Sequence, residues 1–189
     1  MAKLKAALAM GAVAALGFGT YSLLSSSDED AAGTRDLVNQ VWIERMPETS
    51  RDMIGHVVIL DRDGQQFGIV GRGSRWRHAL EAFGWRLEGS QLKLFFPQDR
   101  VRGEVKARTW KCAGEAPEPF ELCLEFTNAQ GRSVKFYSHS DWVVKDADSL
   151  DALSMENPEL AGVFENVELS APELDIDSME FEEGPLPLR

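Results

Sequence analysis

Cysteine is nearly absent from this chain. Its 189 residues hold only Cys112 and Cys123, which excludes a framework of several disulfides and a four-thiolate metal knuckle. Histidine is scarce as well: His56, His78 and His139 are far apart, none stands at i, i+4 from another, and none adjoins a cysteine. No zinc-ligand spacing is present, and no metal or other cofactor is expected. A phosphate-cradling loop is also missing, because "GRGSRWRH" (residues 71–78) lacks the Lys-Ser/Thr and the following helix that complete one. Positive charge is almost lacking from the C-terminus, where residues 146–189 carry 13 acidic groups and one base, Arg189. Residues 33–145 are close to neutral, with 17 basic and 15 acidic groups. The net charge of −11 therefore belongs to the tail, and nucleic acid is not expected as a partner.

What is present begins with an export-type segment. Lys3 and Lys5 precede an uncharged stretch from Ala6 to Leu24, and Ser25–Ser27 lead into Asp28, Glu29 and Asp30. A basic start, an apolar middle and a polar exit describe a signal peptide or an uncleaved membrane anchor over residues 1–27. Both readings place the remainder outside the cytoplasm, periplasmic or membrane-anchored at the cell envelope, with residues 6–24 in the membrane if cleavage does not occur. The segment contains no cysteine, so a lipid-modified start is excluded. Residues 28–36 read as a linker.

From Trp42 the periodicity becomes strand-like. His56–Leu60 and Phe67–Val70 flank an Asp63-Gly64 turn, a Gly89-Ser90 turn separates two further runs, and others follow through "VRGEVKARTWKC", "FELCLEF" and "SVKFYSHS". The count is about eight strands joined by hairpin-length connections. No helix long enough for a parallel crossover lies between them, so the sheet is expected to be antiparallel. All five tryptophans fall in this region, which places the core there. The fold expected is mainly β: an antiparallel up-and-down barrel over residues 37–145, preceded by an apolar helix and followed by an acidic tail, residues 146–189.

Short consecutive hairpins, with "QVWIER" setting Trp42 at the start of the first strand, resemble a small lipocalin-like (calycin-type) barrel over about residues 37–142. Gln40 stands where that family usually has glycine. The resemblance implies a ligand-holding or structural barrel and carries over no catalytic residue. Alternate residues of a barrel strand point inward, so Leu94 and Phe96, Phe136, and the aromatics Trp85 and Trp110 are the candidate ligand-binding residues, or equally core filling. The ligand would be a small apolar molecule.

"SHSDW" gathers Ser138, His139, Ser140 and Asp141, which raises an envelope hydrolase as an alternative. Neighbours on a strand point to opposite faces and do not form a relay by themselves, so a non-enzymatic binding or interaction module is the primary expectation. Between Arg72 and Lys111 ten basic residues face four acidic ones; they form a positive face, for lipid heads, a polyanion or the protein's own tail, or are simply the outward residues of strands.

In the tail, Asn157, Pro158 and Glu159 form a helix-start signal, and Leu160, Val163, Phe164 and Val167 follow at i, i+3, i+4 and i+7. The spacing predicts a short amphipathic helix near 158–169 that needs a surface to dock on, its own barrel or an envelope protein. Those four residues are the candidate partner-binding set. Beyond Pro172, Leu174, Ile176, Met179 and Phe181 sit among acids in a segment expected to order only when bound. In an exported chain Cys112 and Cys123 are expected to form a disulfide across a hairpin; in a reducing compartment they would be core thiols.

Overall fold

A computed structural model describes residues 33–62, 64–146, 148–164, 167, 169 and 182–183. The N-terminal segment and the linker up to residue 32 lie outside them. Eight antiparallel strands follow one another: β1 (Gln40–Ile43), β2 (Ile54–Arg62), β3 (Gln65–Ser74), β4 (Arg77–Glu88), β5 (Gln91–Phe96), β6 (Val101–Lys111), β7 (Leu122–Asn128) and β8 (Ser133–Ser138). Each pairs with the next, and β8 pairs with β1, so the sheet closes into an up-and-down barrel. Closure removes the unpaired edges of an open sheet. The β2–β3 turn is tight because Gly64 takes a φ of 81°, which L side chains rarely adopt.

Register settles which residues face the lumen. Trp42 lies opposite Val57, Val57 opposite Val70, Trp85 opposite Leu94, Leu92 opposite Val105, and Leu124 opposite Phe136. One apolar cluster fills the barrel with Trp42, Ile59, Phe83, Trp85, Leu92, Val105, Leu124 and their neighbours. One end is plugged by residues 33–39: Leu37 is fully buried, and the Trp42 indole donates to its carbonyl at 3.2 Å. Gly68 is where β3 lets the Phe83 ring reach the wall, since a Cβ there would collide with Phe83 Cζ.

A second core lies outside the barrel. The outward residues of β1–β3, among them Val41, Ile43, Val58, Leu60 and Ile69, pack beneath the chain that follows β8. That strap carries Trp142 and Val144, a short helix α1 (Ser149–Glu156) contributing Leu150 and Leu153, and a single 3₁₀ turn at Pro158–Leu160. Residues 161–164 continue in turns, and the rest of the helix expected near 158–169 falls partly outside the described residues. Pro158 supplies the fixed φ that starts the 3₁₀ turn and lacks the amide that would have continued α1. Among the described residues no helix is long and apolar enough to cross a membrane.

β1 and β8 share a single registered pair, Ile43 with Tyr137, whereas β2 and β3 share nine. A side chain strengthens this seam. Gln40, 5% exposed, donates from Nε2 to Ser138 Oγ at 2.7 Å and to the His139 carbonyl at 2.6 Å. Buried amides need such partners. Gln40 thus fastens the barrel where it closes.

Candidate functional site

Inward side chains pack the lumen, and they differ in how completely they are buried. Several inward residues toward the plugged end are buried, Phe83 at 2% exposure, Trp85 at 4% and Leu124 at 0%, while Leu87 beside the β4–β5 turn is only partly buried. Val70, Leu94, Phe96, Val134 and Phe136 also face inward, yet each keeps partial solvent exposure. The last four of these lie toward or face the end opposite residues 33–39, whose rim comprises the β1–β2, β3–β4, β5–β6 and β7–β8 connections. Phe96 sits 5.7 Å from Phe83 and Phe136 sits 6.0 Å from Phe126, ring centre to ring centre. The rings at the mouth therefore rest on the rings of the filled core.

The mouth also carries charge. Arg72 reaches Glu44 at 3.2 Å and the Met53 carbonyl at 3.0 Å. Glu81 faces inward opposite Val70; burial, then the charge of Asp99 and a hydrogen bond with it, raise its carboxyl above the usual range. An apolar pocket rimmed by a few polar groups is the usual form of a small-molecule site.

Four of the five expected ligand-binding residues meet in the lumen: Trp85, Leu94, Phe96 and Phe136. Their depths differ. Trp85 lies in the filled core, its indole nitrogen donating to the Leu60 and Phe67 carbonyls at 3.0 Å each, while the other three approach the mouth. Trp110 does not join them. Thr109 faces Leu124 across the strand pair, so Trp110 points outward, with the Arg108 guanidinium 4.4 Å and the Lys135 ammonium 5.9 Å from its ring. The inward positions of β6 are Val101, Gly103, Val105, Ala107 and Thr109, small or medium residues that leave room for the larger side chains opposite.

Of the candidate partner residues, Leu160, Val163 and Phe164 are 0%, 2% and 5% exposed, with Val167 partly buried beside them. They cover the barrel's own flank. The strap's backbone comes so close that a Cβ on Gly73 would collide with the Val163 carbonyl, and one on Gly162 would meet the backbone of Arg75. Beneath it lies His56, with no exposure and with its ring 5.4 Å from that of Phe164. Nδ1 of His56 donates to the Ile54 carbonyl at 3.3 Å and Nε2 has no partner. Desolvation, aided by nearby His78 and opposed by the Ile54 carbonyl, lowers its pKa from 6.5 to about 4.

The "SHSDW" cluster lies at the plugged end. His139 accepts at Nδ1 from the Asp141 amide at 3.3 Å, and its Nε2 faces Glu121 at 3.7 Å. Ser140 donates to Glu121 at 2.6 Å and Ser138 to the His139 carbonyl at 3.3 Å. A nucleophilic relay needs a hydroxyl that donates to the imidazole, and both hydroxyls are directed elsewhere. A cavity of about 390 Å³ adjoins Ser140 and Asp141 and runs under the strap between Val41, Trp142 and Leu153. No group of three or more metal-ligating side chains occurs among the described residues.

Cys112 and Cys123 are bonded at the β6–β7 hairpin, both buried. No protein-family model, curated protein or solved structure matches the chain. The closed eight-strand antiparallel barrel is consistent with the lipocalin-like barrel expected from the sequence.

Proposed function

We propose that the protein is a non-enzymatic, lipocalin-like binding barrel of the cell envelope that takes a small apolar ligand, or the apolar end of a larger one, through its open end. The observation that carries this reading is the partial exposure of Val70, Leu94, Phe96, Val134 and Phe136 on the inner wall of a closed barrel. Apolar surface held open to water costs about 25 cal/mol per Å², and a matching ligand recovers that on entry. Leu94, Phe96 and Phe136 make the contact, while Trp85 forms the floor. Glu81, together with the Arg72–Glu44 pair, meets whatever polar end the ligand leaves at the rim.

The envelope location is supported by the basic-apolar-polar order of residues 1–30 and by the disulfide, which persists in oxidising compartments. In this reading the segment from Ala6 to Leu24 exports the barrel or anchors it beside a membrane, an ample source of apolar molecules. The test is extraction of the protein purified from its native envelope, with mass spectrometry of the extract. One apolar species recovered in near-stoichiometric amount supports the proposal. An extract no different from that of a variant with Phe96→Arg at the mouth overturns it.

A further inference from the structure

Residues 148–164 of the strap cover the barrel without a polar tie to it. The root of the strap is fastened by main chain: the Val41 amide donates to the Trp142 carbonyl at 3.0 Å, and the Val144 amide to the Asn39 carbonyl at 2.9 Å. Past Val144 such bonds stop. Among the described residues the hydrogen bonds of 148–164 stay within the strap, as from the Asn157 amide to Leu153, Leu160 to Asn157 and Val163 to Leu160. No ion pair joins this stretch to a strand among those residues. The hold is apolar: Leu150, Leu153, Leu160, Val163 and Phe164 are at most 7% exposed and share one cluster with Ile43, Ile54, Val58 and Leu60 of the outer wall.

Two imidazoles lie under this cover. Register sets His56 opposite Gly71 and His78 opposite Gly73, so β3 brings glycine to both crossings. The Val163 carbonyl occupies the space where a Gly73 side chain would stand, beside His78 Nδ1. His56 Nε2 and His78 Nδ1 are buried, and neither has a hydrogen-bond partner. No carboxylate compensates them. On β1, Ile43 lies opposite His56, while the neighbouring Glu44 turns to the inner face and pairs with Arg72 of β3 at 3.2 Å. From β4, Arg77 and Glu81 also turn inward and His78 alone faces outward with a titratable group. The strap contributes the Phe164 ring, 5.4 Å from that of His56. A neutral imidazole fits this place and an imidazolium does not. Burial above all, with His78 adding to it and the Ile54 carbonyl opposing, holds His56 at a pKa of about 4 against 6.5.

We propose that residues 148–164 form an acid-released cover: protonation of His56 at Nε2 lifts the strap beyond Val144 off the outer flank of β1–β3, while the barrel and the root of the strap stay in place. Lifting admits water to the new charge. The barrel can keep its own packing, because the lumen cluster contains no residue of 148–164. Acid thus uncovers Ile54, Val58 and Leu60 and changes the outer surface of the barrel. The device is independent of the lumen and of any ligand there.

Opening and protonation form one linked equilibrium, since the open form binds the proton far better. Between pH 7.5 and 4.5 the opening constant should rise about 70-fold. Thiol labelling of the full chain reads it, because among the described residues both cysteines are bonded and none is free. Val163→Cys places one thiol under the cover, and Val105→Cys places one in the lumen as the reference for opening of the barrel. Rates with 4,4′-dithiodipyridine are divided by those of the same variant unfolded in urea at the same pH. Expected at Val163→Cys is a rise of about 70-fold from pH 7.5 to 4.5, with labelling at least about tenfold faster than at Val105→Cys. Combined with His56→Gln, which stays neutral throughout, the rise should vanish; His56→Leu serves as a second neutral variant. Equal rates at the two thiols would mean that the cover opens only with the barrel and overturn the proposal. So would a rate at Val163→Cys that ignores pH, or a rise that survives both neutral variants.

Discussion

Replacing His56 with leucine should remove a specific piece of the protein's acid sensitivity. His56 lies under the strap with Phe164 against its ring, its Nδ1 hydrogen committed to Ile54 and its Nε2 without an acceptor. A proton added at Nε2 creates a charge with neither water nor counter-ion, beside His78. In the folded protein the group titrates near pH 4, against 6.5 when exposed. Above pH 6.5 it is neutral folded and unfolded and contributes no slope. Between 6.5 and about 4 the unfolded chain binds the proton first, so stability falls with pH by a total of about 3 kcal/mol, complete below pH 4. Asp52 works in a lower window: the Glu48 amide, then the Thr49 hydroxyl, hold its carboxyl at about 2 rather than 3.8. Its contribution is present above 3.8, is lost as pH falls toward 2, and is common to wild type and variant. Urea unfolding from pH 7.5 to 4, followed by tryptophan fluorescence, is the assay. Whatever their difference at pH 7.5, it should shift by about 3 kcal/mol toward the leucine variant by pH 4. Parallel profiles would refute the burial of His56 beneath the strap.

Three further outcomes follow from the packing. Removing the bridge with Cys112→Ser and Cys123→Ser should lower stability by about 2–3 kcal/mol, read as a reduced urea midpoint with the β circular dichroism unchanged. Gln40→Leu removes the amide that donates to the Ser138 hydroxyl and the His139 carbonyl at the β1–β8 seam, leaving the carbonyl only the longer bond from Ser138; a loss of about 1–3 kcal/mol and faster amide exchange in β8 are expected, and exchange confined to other strands would contradict the clamp. Phe164→Ala should cost about 3–5 kcal/mol in the same unfolding assay, while Trp76→Ala, at a side chain 68% exposed, should cost well under about 1 kcal/mol.

Much of the barrel was legible because period-2 alternation and turn residues are local signals. Leu94 and Phe96 on one strand, and Phe136 on another, follow from alternation alone and face the lumen together. Trp110 was misplaced for a related reason. Its strand alternates between small inward residues and long charged outward ones, and a tryptophan amid charges looks like core until register shows it stacked beneath Arg108. The strap was half legible: the spacing of Leu160, Val163 and Phe164 marked an apolar face, but not that Leu150 and Leu153 would supply the α-helix ahead of it. Gln40 and His56 carried no signal. Gln40 finds Ser138 98 positions away, and His56 is buried by residues more than a hundred positions downstream, so both depend on topology that composition cannot encode. The Glu81–Asp99 contact at the mouth depends in the same way on how the β5–β6 connection folds over the rim.

The central claim is an apolar site entered through the open end of the barrel. Its most direct measurement is titration of an environment-sensitive naphthyl fluorophore into the delipidated protein, beside Phe96→Arg at the mouth and Trp110→Ala on the outer wall. Saturation at one probe per chain, lost in Phe96→Arg and retained in Trp110→Ala, is the expected result. Binding that survives Phe96→Arg, or that disappears with Trp110→Ala, would place the site on the outer surface and contradict the lumen as the site of binding.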